Sequence, residues 1–191
     1  MEFTHEKGAL RETITARRKA LDDASWQNFD EARLAALLKA LPPPGVIAIY
    51  ASRRHEPGTL STIKELRSRG WQVLLPKLSR KPDWAWATDE LRSGWAGIPE
   101  PSGSALGIDS LAQADVIVVP CLAVSRDGNR LGMGGGWYDR ALRHRRSGTP
   151  IWALANADEV LQKLPSEPHD IPVDAVVTEN GFTHLGAGSV S

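Results

Sequence analysis

The stretch "VIAIYASRRHEPGTLSTIKELRSRGWQVLLP", Val46 to Pro76, decides the fold. "VIAIY" is a short continuous apolar run, the pattern of a strand buried on both faces. "TLSTIKELRSRG" then has helical spacing and places Gly70 just past its end, before "WQVLLP" supplies another buried strand. Strand, helix, strand is a β-α-β unit. Further on, "DVIVVP" (Asp115 to Pro120), "PIWALA" (Pro150 to Ala155) and "VDAVVT" (Val173 to Thr178) repeat the buried-strand pattern. Helical stretches are expected near Trp137 to Arg146 and Asp158 to Leu164. Strands alternating with helices predict an α/β fold, a single domain over 1–191 with a mostly parallel sheet and helices on both faces. In such a sheet the ligand crevice lies beyond the carboxyl ends of the strands.

Upstream of the unit, Leu10, Ile14 and Leu21 fall on one face of a helix over Glu6 to Leu21. A second helix carries Phe29, Leu34, Leu37, Leu38 and Leu41 and is stopped by "PPPG" at Pro42 to Gly45. Between Leu78 and Gly107 the pattern is irregular: "DWAWAT" alternates like a strand and "GIPEPSGSALG" reads as a loop, together an excursion over the sheet.

Composition narrows the function. The 191 residues are 41% hydrophobic and 24% charged, ordinary for a globular protein. With 23 basic and 23 acidic residues the chain has no global field to draw it to nucleic acid or to an anionic membrane. The start "MEFTHEKGALRE" lacks a secretion signal, no apolar run reaches the ~20 residues of a bilayer span, and the lone Cys121 fits a reducing compartment. A cytoplasmic protein is expected, acting as a monomer.

The chemistry concentrates at "RLGMGGGWYDR", Arg130 to Arg140, which puts four glycines into five positions after the strand "DVIVVP" and a nine-residue loop. Glycines permit positive φ and let backbone N–H groups converge on an anion, and a helix start adds unpaired donors. A Walker A loop would need Lys and Ser or Thr after the last glycine, where Trp137 and Tyr138 stand. The dinucleotide fingerprint fails as well, because its third glycine falls on Trp137. Arg130 suits a phosphate and Asp139 a magnesium ion, although an acid in a first helical turn also serves the helix dipole alone.

The segment "VPCLAVSRDGNRLGMGGGWYDRAL", Val119 to Leu142, resembles the signature of 5-formyltetrahydrofolate cyclo-ligases (methenyltetrahydrofolate synthetases), which reads roughly VPGLAFDxxGxRLGYGGGYYDRxL. The family's amino-terminal K-x-x-x-R is matched by Lys7 and Arg11, its E-x-x-T by Glu56 and Thr59, its I-x-E-P by Ile98 to Pro101 and its late V-D by Val173 and Asp174. The resemblance implies ATP- and magnesium-dependent conversion of 5-formyltetrahydrofolate to 5,10-methenyltetrahydrofolate in one-carbon metabolism, with ADP and phosphate as coproducts. It implies that Lys7, Arg11, Arg130, Leu131, Gly132, Met133, Gly134, Gly135, Gly136, Trp137 and Tyr138 bind ATP. Tyr50, Ala51, Glu56, Trp84, Trp86, Met133, Gly135 and Trp137 would bind the folate, Asp139 and Asp174 the metal, and Arg130 and Tyr138 would act in catalysis. Met133, Trp137 and Val124-Ser125 depart from the usual residues. A regulator that binds nucleotide or folate without catalysis, or an ATP-dependent ligase of a related heterocycle, are the alternatives.

Other features read less sharply from the residues alone. Lys7, Arg11 and Arg18 border the apolar stripe of the first helix, either solvated or sharing an anion. Glu56 is a helix-start acid or a pterin acceptor. Trp84 and Trp86, two apart, face one side of a strand, as core or as the wall of a flat-ring site. Cys121 is a small buried residue rather than a nucleophile with His144 or His169 as base, and "RHRR" at Arg143 to Arg146 closes a helix.

Overall fold

Each apolar run forms a strand because it has side chains to bury on both faces of one sheet. A computed structural model describes residues 2–79 and 81–186, so residues 1, 80 and 187–191 of the expected domain lie outside the described residues. The helices are α1 (Glu2–Ala20), α2 (Asp23–Ala40), α3 (Leu60–Ser68) and the single turn α4 (Trp137–Ala141). The strands are β1 (Val46–Ile49), β2 (Gln72–Lys77), β3 (Asp83–Trp86), β4 (Leu91–Ser93), β5 (Pro99–Pro101), β6 (Val116–Pro120), β7 (Ala123–Ser125), β8 (Arg130–Leu131), β9 (Ile151–Leu154), β10 (Val160–Leu161), β11 (Ala175–Thr178) and β12 (Gly181–His184). Among the described residues, seven strands make one sheet in the order β12-β11-β9-β6-β1-β2-β3. Its inner strands are parallel, and the edges β12 and β3 run antiparallel.

Period-two alternation divides the core. Ile47, Ile49, Val73, Leu75, Val118 and Leu154 pack on Leu37 of α2 and on Ile63 and Leu66 of α3. Their neighbours Ala48, Leu74, Ile117, Val119 and Ala153 face the other way, onto Leu111, Ala141 and Leu142. Helical segments therefore cover both faces, as expected. No helix among the described residues is long and apolar enough to cross a membrane.

Four sequence expectations change. Asp158 to Leu164 is not helical: a 3-10 turn at Ala157–Glu159 leads into β10, because the Glu159 carboxylate folds back onto the Asn156 N–H (2.8 Å) and the chain then pairs Val160 with Val124. The expected helix over Trp137 to Arg146 is α4 plus a 3-10 turn at Leu142–His144, tightened by Arg145, which donates to the Leu142 carbonyl (2.9 Å). The loop after β6 contains the hairpin β7-β8, which joins β10 in a second small sheet. Finally, β3 extends the main sheet, and within "GIPEPSGSALG" β5 pairs with β4.

α1 lies against the small sheet, with Ile14 packed on Leu122, Ala123 and Leu131. Its buried positions are Lys7, Ile14 and Arg18, and those of α2 are Trp26, Arg33 and Leu37. Each helix thus repeats a seven-then-four spacing, and each buries an arginine. The Arg18 guanidinium donates to both oxygens of Glu159 (2.6 and 2.7 Å) and to the Cys121 carbonyl (2.8 Å). Glu159 also bonds Asn156, whose side-chain oxygen accepts from Arg33 (2.7 Å). Arg33 donates in turn to Asp30 (2.6 Å), which holds the Gly58 N–H (2.8 Å). This chain of buried polar contacts ties α1, α2, the carboxyl ends of β6 and β9 and the β1–α3 loop together.

Breaking one partner of a buried ion pair leaves an uncompensated charge, at a cost of about 3–5 kcal/mol. Glu159→Gln should lower stability by about that amount, read as a fall in the urea midpoint at unchanged slope. Arg17, whose ion pair with Asp158 is solvent-exposed, should lose less than ~1 kcal/mol when changed to Ala.

Candidate active site

The chain leaves β6 at its carboxyl end, runs through the β7-β8 hairpin and reaches the glycine loop, Gly132 to Gly136. Gly134 (φ 104°) and Gly136 (φ 63°) take left-handed backbone, which a side chain would strain. A Cβ at Gly132 would meet the Arg130 guanidinium at 2.9 Å. The loop is therefore shaped to the side chains beneath it. The Met133 side chain points out, 59% exposed, whereas Leu131 is buried against Ile14.

α1 meets this loop through Arg11 and carries a second cation, Lys7, one turn earlier. Arg11 donates through Nε to the Gly132 carbonyl (2.9 Å), and its guanidinium lies 3.6 Å from where a Cβ on Gly134 would stand. One turn earlier Lys7 is nearly enclosed, its ammonium held by Glu167 (3.0 Å) and Asp170 (3.2 Å). Its pKa is raised: burial works against the charge, but the two carboxylates outweigh it. Lys7 therefore stays cationic.

Beneath the loop, Arg130 donates to Asp139 (3.2 Å) and to the Pro120 carbonyl (3.3 Å), and its guanidinium carbon lies 5.8 Å from the Tyr138 ring centroid. Tyr138 and Trp137 meet edge to face at 4.8 Å, and Trp137 and Trp84 at 5.5 Å. Four buried polar atoms in this contiguous set have no hydrogen-bond partner: Arg130 Nε, Tyr138 Oη, Trp137 Nε1 and Trp84 Nε1. Buried donors are almost always paired. Four of them lie in one contiguous set beside the loop. Burial drives the Tyr138 phenol far up; Arg130 opposes this and Glu56 adds to it. Tyr138 is thus a neutral donor and no base.

The other expected residues are distributed as follows. Glu56 accepts from the Arg53 N–H (2.8 Å) and the Arg53 side chain (3.2 Å), which fixes the β1–α3 loop, yet its charge reaches both Tyr138 and Tyr50. Thr59 donates to the Tyr50 carbonyl (2.6 Å) and accepts from Ser52. Tyr50 is buried, donates to the Pro57 carbonyl (2.6 Å) and lies beside buried Ala51. Trp84 is fully buried and Trp86 packs on the same cluster half-buried, so the pair does share one side of β3. Asp139 Oδ1 takes both Arg130 and the Ile171 N–H (3.4 Å), while Asp174 binds the Ile151 N–H (2.7 Å) at the start of β9. Of the two acids, Asp139 is the one presented beneath the loop. His144 pairs with Asp109 on the surface.

Sequence reasoning missed Glu167 and Asp170, and also the buried roles of Arg18, Arg33 and Glu159. One signal was present: "NADE", Asn156 to Glu159, has capping-box spacing and forms that motif. Nothing local marks Glu167 or Asp170, because their partner is 160 or more residues away.

An open, mostly parallel sheet whose glycine loop, beyond the strand ends, meets Arg11 and Arg130 defines the class as α/β. Comparison with known proteins narrows the class. Residues 3–179 match the model of the 5-formyltetrahydrofolate cyclo-ligase family. The chain is 33% identical over 181 residues to the 5-formyltetrahydrofolate cyclo-ligase of Mycolicibacterium smegmatis, covering 90% of this chain and 93% of that one. The enzyme of that name from Escherichia coli is 31% identical over 180 residues, with 86% and 96% covered. The solution structure of the Aquifex aeolicus 5,10-methenyltetrahydrofolate synthetase superposes with a TM-score of 0.81 at 28% identity, covering 97% of this chain and 95% of that one. The chain belongs to the 5-formyltetrahydrofolate cyclo-ligase family.

Cys121 lies at the edge of this region, buried, with its thiol donating to the Leu154 carbonyl (3.2 Å) and its pKa pushed up to about 12 by burial. A free thiol titrates at ~8.5. In native protein near that pH, iodoacetamide should leave Cys121 unmodified and then alkylate it fully once denaturant is added, as mass spectrometry would read; rapid native labelling would place the thiol at the surface.

Proposed function

We propose that the chain catalyses the ATP-dependent cyclisation of 5-formyltetrahydrofolate to 5,10-methenyltetrahydrofolate. The observation that carries this reading is the set of unpartnered donors on Arg130, Tyr138, Trp137 and Trp84 under a loop rimmed by α1 cations. A formyl oxygen and a triphosphate together supply the acceptors that such a set lacks.

The formyl oxygen is a poor leaving group until it is phosphorylated. It attacks the γ-phosphorus, the bond from that phosphorus to the ADP oxygen breaks, and an iminium-like phosphate ester forms. N10 then bonds to the formyl carbon and loses its proton, the carbon–oxygen bond breaks, and phosphate leaves with the former formyl oxygen. Such transfer depends on position and charge neutralisation rather than on a side-chain nucleophile. Lys7, Arg11 and Arg130 meet the phosphoryl charge, and loop N–H groups orient its oxygens. Tyr138, kept neutral by burial, donates to the formyl or phosphoryl oxygen. Glu56, close enough to act on Tyr138, accepts from pterin N–H groups, beside Tyr50 and Ala51. Met133, exposed on the loop, covers the bound ligands.

The Asp139 carboxylate also fits a magnesium ion. This ion needs only one or two carboxylates besides water and phosphate, and Asp139 Oδ2 takes no hydrogen bond among the described residues. Asp139 would hold it, with Asp174 less well placed because it serves β9. When bound, the metal neutralises phosphate charge.

Purified protein given 5-formyltetrahydrofolate should develop methenyl absorbance only with magnesium-ATP. Arg130→Ala should lower kcat/KM by about 100-fold or more, and 18O placed in the formyl group should emerge in inorganic phosphate. ATP binding with no methenyl product would transfer the reading to another heterocycle, and label retained in the folate would exclude the phosphate ester. Tyr138→Phe should reduce kcat by about tenfold; unchanged turnover would remove the hydroxyl from the mechanism.

A further inference from the structure

Between α2 and the β1–α3 loop lies a cavity of about 570 Å³, lined by Trp26 and Asp30 on α2 and by Ser52, His55, Glu56 and Gly58 on the loop. That is room for a flat bicyclic ring. Glu56 relates the cavity to the residues beneath the glycine loop, because its charge reaches Tyr138. One acid here has an unexplained half. Asp30 Oδ1 already accepts twice, from Arg33 (2.6 Å) and from the Gly58 N–H (2.8 Å). Its Oδ2 takes no hydrogen bond among the described residues, in a side chain 33% exposed. The space that Oδ2 occupies is the space that Gly58 leaves empty, since a Cβ at Gly58 would stand 2.2 Å from it. Gly58 is not in left-handed backbone, so φ alone does not require a glycine there. The loop therefore lacks a side chain at the point where a carboxylate from α2 enters. Another polar atom is unmatched on the same wall: His55, in left-handed backbone (φ 63°), has a buried Nδ1 without a partner.

The pterin of a reduced folate presents N3–H and 2-amino hydrogens side by side on the edge away from N5. A carboxylate oxygen has two lone pairs and can meet both. Both oxygens of Glu56 already serve Arg53, one its backbone N–H and the other its side chain. The unoccupied carboxylate oxygen at this cavity is therefore Oδ2 of Asp30. We propose that Asp30 is a substrate-binding and specificity-determining residue, whose Oδ2 accepts the N3–H and 2-amino hydrogens while Arg33 and Gly58 hold Oδ1. This rests on the folate reading above. Glu56 is then the second, already shared, acceptor, and His55 Nδ1 is left to pair with a polar atom of the ring. The absence of a side chain at Gly58 is what admits Asp30, so the two positions form a matched pair.

The test is calorimetric titration with 5-formyltetrahydrofolate in the absence of ATP, paired with KM for both substrates. It compares wild type, Asp30→Asn, Asp30→Ala, Gly58→Asp and the double variant Asp30→Ala/Gly58→Asp. An asparagine oxygen can still accept the Gly58 N–H, and Arg33 keeps Asn156 (2.7 Å) and Glu179 (3.6 Å). Asp30→Asn should therefore fold with a melting temperature close to wild type. It should weaken folate binding and raise the folate KM by about tenfold, the loss of one charge-assisted hydrogen bond, while KM for ATP stays within about twofold. Asp30→Ala and Gly58→Asp should each bind folate poorly, the first for want of the carboxylate and the second because two carboxylates crowd one space. Together they return a single carboxylate to that space from the loop, and the double variant should bind folate better than either single one. Asp30→Asn binding folate like wild type would overturn the proposal. So would a double variant no better than Asp30→Ala, or equal rises in both KM values with a fall in melting temperature, the mark of a purely structural brace. Failure of the wild type itself to bind 5-formyltetrahydrofolate would instead overturn the functional reading and this inference with it.

Discussion

The Arg18–Glu159 ion pair is the constraint on which the site's geometry depends. It joins α1, which lies outside the main sheet, to the turn after β9 and to the carbonyl of Cys121 after β6. Among its described side chains α1 has few apolar contacts: Ile14 is fully buried and Leu10 is half-buried. Hydrophobic burial alone would leave the rotation and register of this helix loosely set. A bidentate guanidinium–carboxylate contact permits little sliding, so Arg18 fixes the helix and the preceding turns follow. Arg11 then falls against Gly132, and Lys7 against Glu167 and Asp170. Arg33 does the same for α2, and through Asp30 it reaches Gly58 in the loop that carries Glu56.

Charge is balanced locally around the loop. Lys7 has Asp170 and Glu167, and Arg130 has Asp139. Among the described residues Arg11 has the neutral carbonyl of Gly132 as its hydrogen-bond partner. In this arrangement no bare cluster of positive charge destabilises the free protein. The buried atoms Arg130 Nε and Tyr138 Oη have no hydrogen-bond partner among the described residues. A neutral, deeply buried phenol beside a guanidinium is suited to meeting oxygen charge as it develops, because a dipole already aligned needs little reorganisation.

Much of this was legible in the sequence, and the remainder was hidden for physical reasons. Short apolar runs gave the parallel strands, since burial on both faces leaves a pattern that requires no partner to read. The glycine loop was legible from composition, and helical spacing put Lys7 and Arg11 on one border of α1, where only the resemblance gave them a ligand. Asp158 to Leu164 was misread because its apolar residues fit a helix, whereas the side chain of Glu159 closes a tight turn and a distant strand partner, Val124 to Ser125, takes over. The buried faces of α1 and α2 escaped because each includes an arginine, which a search for apolar stripes discards. Asp170 escaped because its meaning lies wholly in a lysine 163 positions away.

If α1 is the arm that carries cations to the glycine loop, a crystal structure with magnesium and a non-hydrolysable ATP analogue is the most direct test. The terminal phosphates should lie against the N–H groups of Gly132 to Gly136 with Lys7 and Arg11 within hydrogen-bond distance. A triphosphate seated elsewhere, with Lys7 and Arg11 making no contact to it, would contradict this assignment of α1 and of the loop.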